Sequence, residues 1–229
     1  MAKGDYETAV TKANEAIEAN DWKEGPRILQ ISALMAQGKY EKAHEATVKA
    51  LQKLNQGVQV RLAASEVFHY HGDANRSIAV LAEINQLAGL RGWAYRNAPD
   101  LVALGRTALK LGGDPKLILD NLYRVARESD PDYLGVPLAI GELALSKSDF
   151  ELAGKTFQLA IRKHPGNAEL HFGAARAFAP SDHLAMMGHL QAALAANPNH
   201  APSRILLANH LIDREAYAEA EEQLAKALE

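Results

Sequence analysis

A short string that returns along the chain limits its fold more than any other feature. A small or polar residue is followed by a polar residue or Ala, an aromatic, two helix formers and an Ala. It stands at Gly4-Asp5-Tyr6-Glu7-Thr8-Ala9, Gly38-Lys39-Tyr40-Glu41-Lys42-Ala43, Ser148-Asp149-Phe150-Glu151-Leu152-Ala153 and Glu215-Ala216-Tyr217-Ala218-Glu219-Ala220. Weaker copies are Gly72-Asp73-Ala74, Gly112-Gly113-Asp114-Pro115 and Ser181-Asp182-His183. The first positions, 4, 38, 72, 112, 148, 181 and 215, are separated by 34, 34, 40, 36, 33 and 34 residues. Self-similarity at a near-constant period of this size marks stacked structural repeats.

The unit reads most clearly over residues 133–165. Pro137, Ile140, Gly141 and Ala144 share one face of a helix that ends near Ser148. Phe150, Ala153, Phe157, Ala160 and Ile161 then recur at helical spacing, and Pro165 stops the second helix. Each unit is therefore a helix hairpin. Gly141, Ala153 and Ala160 allow close approach, and Phe150 and Phe157 are expected to fill the space between units. One such hairpin cannot cover its own apolar faces and needs neighbours on both sides.

These units resemble tetratricopeptide repeats (TPRs). Residues 134–165 match through Gly141, Phe150, Ala153, Ala160 and Pro165, residues 168–198 through Ala175, Phe178, Ala193 and Pro198, and residues 201–229 through Ala208, Leu211, Tyr217, Ala220 and Ala227. Tyr6, Ala9 and Ala16, then Tyr40, Ala43 and Ala50, carry the likeness nearer the N-terminus. Departures concentrate at 57–131, where Ser77 replaces an expected Ala and the turn at Gly112–Pro115 is longer; His183 stands where an aromatic is usual. The resemblance implies an all-α, right-handed TPR superhelical solenoid of about 13 antiparallel helices, seven second helices and six first helices, or about six and a half repeats. As one solenoid, residues 1–229 divide into N-terminal repeats at 1–88, an inserted junction at 89–98 and C-terminal repeats at 99–229.

Gly4–Ala9 matches the turn between the two helices of a unit, so the chain is expected to begin on a second helix. At the other end Ala227-Leu228-Glu229 stops where a Pro like Pro198 falls due. Solenoids carry polar caps at their ends. The reading is a piece excised from a longer protein, with Met1-Ala2 and Leu228-Glu229 as added residues; the alternative is a natural chain with frayed ends.

Twenty-five Lys and Arg stand against 28 Asp and Glu, so nucleic acid is a poor partner for want of clustered cations. The absence of cysteine excludes disulfides, thiolate catalysis and Cys-ligated zinc, and leaves the compartment open. No apolar run reaches transmembrane length, so no membrane insertion is expected.

No cofactor, metal or catalytic set is expected. His44-Glu45-Ala46-Thr47-Val48 approaches a zinc peptidase motif, but Val48 occupies the place of the second histidine. His69 and His71, two apart on a helix, point about 200° apart. His183 and His189 fall on different faces, and Gly112–Pro115 lacks the strand and Gly spacing of a phosphate loop.

What remains is the inner surface of the stack. The resemblance places the second, fifth, ninth, twelfth and thirteenth residues of each first helix there. Ninth positions are Ser32, Glu66, Arg106, Glu142, Arg176 and Asn209; fifth positions are Ile28, Leu62, Val102, Leu138, Phe172 and Ile205; later positions include His69, Tyr70, Leu109, Lys110, Ile212 and Asp213. The expected surface is an apolar floor with alternating Glu and Arg. Those charges either pair between repeats, contributing about 0–1 kcal/mol each, or set the register of a bound peptide. Only Asn209 resembles the family's set of Lys and Asn that clamps a peptide carboxylate, so no such clamp is expected.

The period breaks at residues 85–99. Arg91, Trp93, Tyr95 and Arg96 form either a recognition loop or, more often for such a Trp, a plug at a helix junction. Trp22 reads as a packing residue, and Met35, Met186 and Met187 as core. The preferred function is a non-catalytic scaffold binding a peptide or protein segment in the concave groove. One alternative is the repeat arm of a larger bacterial enzyme, since the C-terminal units faintly resemble repeat regions of proteins carrying a metallopeptidase-like domain. Another is self-assembly through uncapped ends.

Overall fold

The computed structural model describes residues 4–228. The expectations for Met1, Ala2 and Glu229 lie outside them. Helices follow one another throughout, with no strand among the described residues. They are α1 (Tyr6–Ala19), α2 (Glu24–Ala36), α3 (Tyr40–Lys53), α4 (Val58–Tyr70), α5 (Ala74–Arg91), α6 (Ala98–Lys110), α7 (Pro115–Ile118), α8 (Arg124–Ser129), α9 (Gly135–Ser146), α10 (Phe150–Lys163), α11 (Ala168–Phe178), α12 (His183–Ala196), α13 (Ala201–Asp213) and α14 (Tyr217–Leu228). A π-helical stretch, Leu119–Tyr123, joins α7 to α8 without interruption. Counting that run once leaves thirteen helices among the described residues, seven of them second helices, beginning with α1. This is an all-α helical repeat fold.

The turns explain why the period was legible. The only positive backbone φ values among the described residues fall at Gly4, Gly38, Gly72, Gly112, Ser148 and Glu215. These are six of the seven recurring first positions. At Gly72 the N–H donates to His69 O at 3.1 Å and the next N–H, of Asp73, to Phe68 O at 2.8 Å, closing the end of α4. The residue after the left-handed one often caps the helix that follows. Asp5, Asp73 and Asp149 accept from Thr8, Arg76 and Leu152 N–H groups at 3.0, 2.9 and 3.0 Å.

The chain divides into two compact units, Asp5–Val136 and a second that begins at Pro137. In the first, Ile31, Leu34, Ala43, Ala50, Val60 and Val67 bury one core among α2, α3 and α4. Val58, Leu62, Leu81, Ile84, Tyr95 and Ala103 bury the next. Gly105 lies against the buried Tyr123 ring, and a Cβ there would overlap it. In the second unit Phe157 lies between Gly141 on α9 and Gly173 on α11, and a Cβ on either would overlap its ring. Phe157 is fully buried, so removing it costs roughly 3–5 kcal/mol. Met186 is buried, and Met35 and Met187 pack against core clusters.

Several aromatic expectations are corrected. Phe150 is 37% exposed, so it is not the buried filler that Phe157 is; it stands at the first turn of α10, ahead of the packed stretch around Phe157. Trp22 is 67% exposed, with the Lys53 ammonium 4.0 Å from its ring centroid. Ser77, in place of Ala, donates its hydroxyl to Ser65 O at 2.6 Å. The extra residues before α6 are no open loop: α5 extends to 18 residues and a 3-10 turn, Gly92–Ala94, finishes it.

Candidate functional site

Polar side chains link the N-terminal ends of neighbouring first helices within each unit. The Glu24 carboxylate on α2 accepts from the Val60 N–H on α4 at 2.8 Å. Burial pushes this carboxyl above its ordinary range, against the opposing pull of that backbone N–H. Gln59 on α4 donates to Asp100 on α6 at 2.7 Å, and Asp100 in turn joins the Asn97 cap. In the second unit Glu169 on α11 lies 3.2 Å from His200, the cap of α13.

These links set out the inner face of each unit. On the first, α4 presents exposed Glu66, His69 and Tyr70, and α6 presents half-buried Arg106. Glu66 meets Lys110 of the next repeat at 3.9 Å, an exposed pair of small energetic weight. The fifth positions Leu62 and Val102 are buried, so they support this face and do not line it.

On the second unit, α9 presents exposed Glu142, α11 half-buried Phe172 and exposed Arg176, and α13 exposed Asn209. The Arg176 guanidinium lies 5.7 Å from the Phe172 ring centroid, and the His200 ring meets the same Phe172 ring edge-on at 5.4 Å. Ile205 and Ile212 are each more than two-fifths exposed. The apolar floor is therefore accessible on this unit and mostly covered on the first.

The segment Arg91–Arg96 splits in two. Tyr95, expected in a recognition loop, is 7% exposed and donates its hydroxyl to Gln56 O at 2.9 Å. Trp93, read more readily as the plug, is 67% exposed, with Arg91 5.7 Å from its ring. Tyr95 is the plug. It sits at the N-terminal end of α4, whereas His69 and Tyr70 close the other end, about 20 Å away along 13 residues. Trp93 and Tyr70 therefore do not form one patch.

The fourth position of the first helix carries a role that sequence reading missed. Arg27 Nε donates to Asp21 O at 3.2 Å, Arg61 Nη2 to Asn55 O at 2.8 Å, and Arg204 Nη2 to Pro198 O at 2.6 Å. In α11 the residue is His171, whose Nε2 lies 3.0 Å from Pro165 O. Every acceptor is six residues back, in the turn that leads into the helix. Three of these four side chains also reach forward to the following second helix: Arg61 to Glu83 at 2.9 Å, Arg204 to Gln223 at 2.9 Å, His171 Nδ1 to His189 Nδ1 at 3.1 Å. Since Pro165 O requires the proton on His171 Nε2, His189 is the donor in the His pair. Burial and the neighbouring His171 hold His189 below its ordinary pKa. The signal was available in the sequence, since Arg27 and Arg61 are 34 residues apart and His171 and Arg204 are 33 apart.

Among the described residues no group of three His, Asp or Glu is placed to hold a metal ion, and no helix is long and apolar enough to cross a membrane. No family model matches the chain, and no curated protein matches its sequence. Solved structures match its fold. A tetratricopeptide repeat protein from Parabacteroides merdae is 16% identical, with a TM-score of 0.57 over 98% of this chain and 86% of that one. A chain of the APC/C hetero-tetramer Cut9-Hcn1 is also 16% identical, with a TM-score of 0.58 over 98% of this chain and 43% of that one. This chain thus spans less than half the length of the Cut9-Hcn1 chain. The likeness establishes a fold of the TPR type.

Proposed function

We propose that this protein is a non-catalytic interaction scaffold whose first-helix face holds a segment of another protein. A TPR-type repeat fold supports an interaction role in general, as repeat stacks present extended surfaces for binding. The observation that carries the finer reading is the face of α11 and α13. There Phe172, Ile205 and Ile212 stay partly open beside exposed Arg176 and Asn209. Accessible apolar side chains supply affinity, and the charged and amide groups beside them set orientation and register.

The test is affinity capture from a lysate by the whole chain and by an Arg106→Glu, Arg176→Glu double variant, both first shown to be folded by circular dichroism. A protein captured by the first and lost by the second supports the groove. Equal capture by both, or capture by neither, overturns it.

A further inference from the structure

The fourth-position arginine of α2 lacks the partner that its equivalents have. Arg27 is 9% exposed, and its Nε bond to Asp21 O is its one hydrogen bond among the described residues. Arg61, one repeat later, makes four: three to backbone carbonyls and one to Glu83. Glu83 lies 22 residues after Arg61, and 22 residues after Arg27 stands Lys49. The carboxylate that closes the second site is thus replaced in the first by a like charge. Lys42, two helical turns earlier on α3, adds another, and neither lysine has an ion pair among the described residues.

Arg27 does not face a packed interior. It lines a cleft of about 480 Å³ between α1 and α3, floored by α2, on the side of the second helices. Val10, Ile17, Leu34 and Ala46 supply apolar walls, Lys42 and Lys49 the rim on α3. A guanidinium with free terminal nitrogens, held in place by its Nε bond, is preorganised to take a carboxylate in two parallel hydrogen bonds.

We propose that this cleft binds an acidic side chain, Asp or Glu, flanked by aliphatic residues in a segment of a partner protein, with Arg27 as the central contact and Lys49 and Lys42 beside it. The partner's carboxylate meets the terminal nitrogens, which Arg61 spends on the Leu54, Asn55 and Gly57 carbonyls, since the Nε that holds Glu83 in Arg61 is bound to Asp21 O in Arg27. Glu18 and Glu45 also line the cleft, which favours a singly charged carboxylate over a phosphate dianion. The site is separate from the first-helix face proposed above.

Random peptides displayed on phage, selected on the whole chain and on Lys49→Glu, test it. That substitution offers Arg27 a carboxylate from the chain itself, at the position that Glu83 occupies one repeat later, and circular dichroism is expected to show the fold retained. Selection on the native chain is expected to enrich peptides with one Asp or Glu between aliphatic residues. The best of these, synthesised with blocked ends, should bind Lys49→Glu at least about tenfold more weakly, and its own Gln-for-acid version should lose as much. Arg27→Met is expected to give the same loss. Enrichment of no such peptide, or equal affinity for native chain and Lys49→Glu, overturns the proposal. Acidic peptides lost on Arg176→Glu but retained on Lys49→Glu also overturn it while leaving the first-helix face standing; displacement by inorganic phosphate beyond that by chloride at equal ionic strength would turn the assignment to a phosphate.

Discussion

Arg27 and Arg61 stand at one repeat position, and each donates to the carbonyl six residues behind it, yet only Arg61 also meets a carboxylate. In α4 the guanidinium ties the preceding turn to the following helix and is used up in doing so. In α2 the same tether exists with its outer half open toward a cleft. A repeated position can therefore be structural in one unit and available in the next, and the residue that decides this sits on another helix, at Glu83 or Lys49.

The largest effect is expected from Arg61→Met. It would remove the donor that Arg61 supplies to the Asn55 and Gly57 carbonyls and one of the two that reach Leu54 O, and cost about 3 kcal/mol, the order of a lost hydrogen bond to a charged group. Denaturant unfolding reads this directly. Arg27→Met, losing one such bond, is expected to cost about 1 kcal/mol in the same measurement. Equal costs at the two positions would erase the contrast. Lys49→Glu is expected to raise stability by up to about 1 kcal/mol by building a pair that is open on one side.

The His171–His189 pair sharpens the comparison through pH. The folded-state pKa of His189 lies below its unfolded value, so protons bind the unfolded chain more readily. Stability from this site is present above the unfolded pKa of about 6.5 and falls as pH drops below it toward the lower folded value. Unfolding midpoints measured from pH 7.5 down to pH 5 should show that decline. His171→Arg with His189→Glu, which puts an Arg and a carboxylate in place of the two imidazoles, should remove this contribution.

Much of this was legible beforehand where the cause is local. A left-handed residue and a capping Asp or Asn belong to a few consecutive positions, so the strings at Gly4, Gly38, Gly72, Gly112, Ser148 and Glu215 mark real turns. The aromatic assignments failed for the opposite reason. Trp93 and Tyr95 are two residues apart in one turn, and only the approach of the α3–α4 turn, bringing Gln56 O, made Tyr95 the buried one. On the candidate face, Glu66, Arg176 and Asn209 are exposed as their register requires, but Leu62 and Val102 are covered where Ile205 is open.

The sequence alone determined the period, the helix hairpins, their order beginning with a second helix, and the turns, because each rests on backbone preferences and caps within a few residues. Tertiary structure alone decided which aromatics are covered and which fourth-position arginine keeps free nitrogens. The first depends on a turn 39 residues back and the second on a helix 22 residues further on, and no local pattern carries either distance.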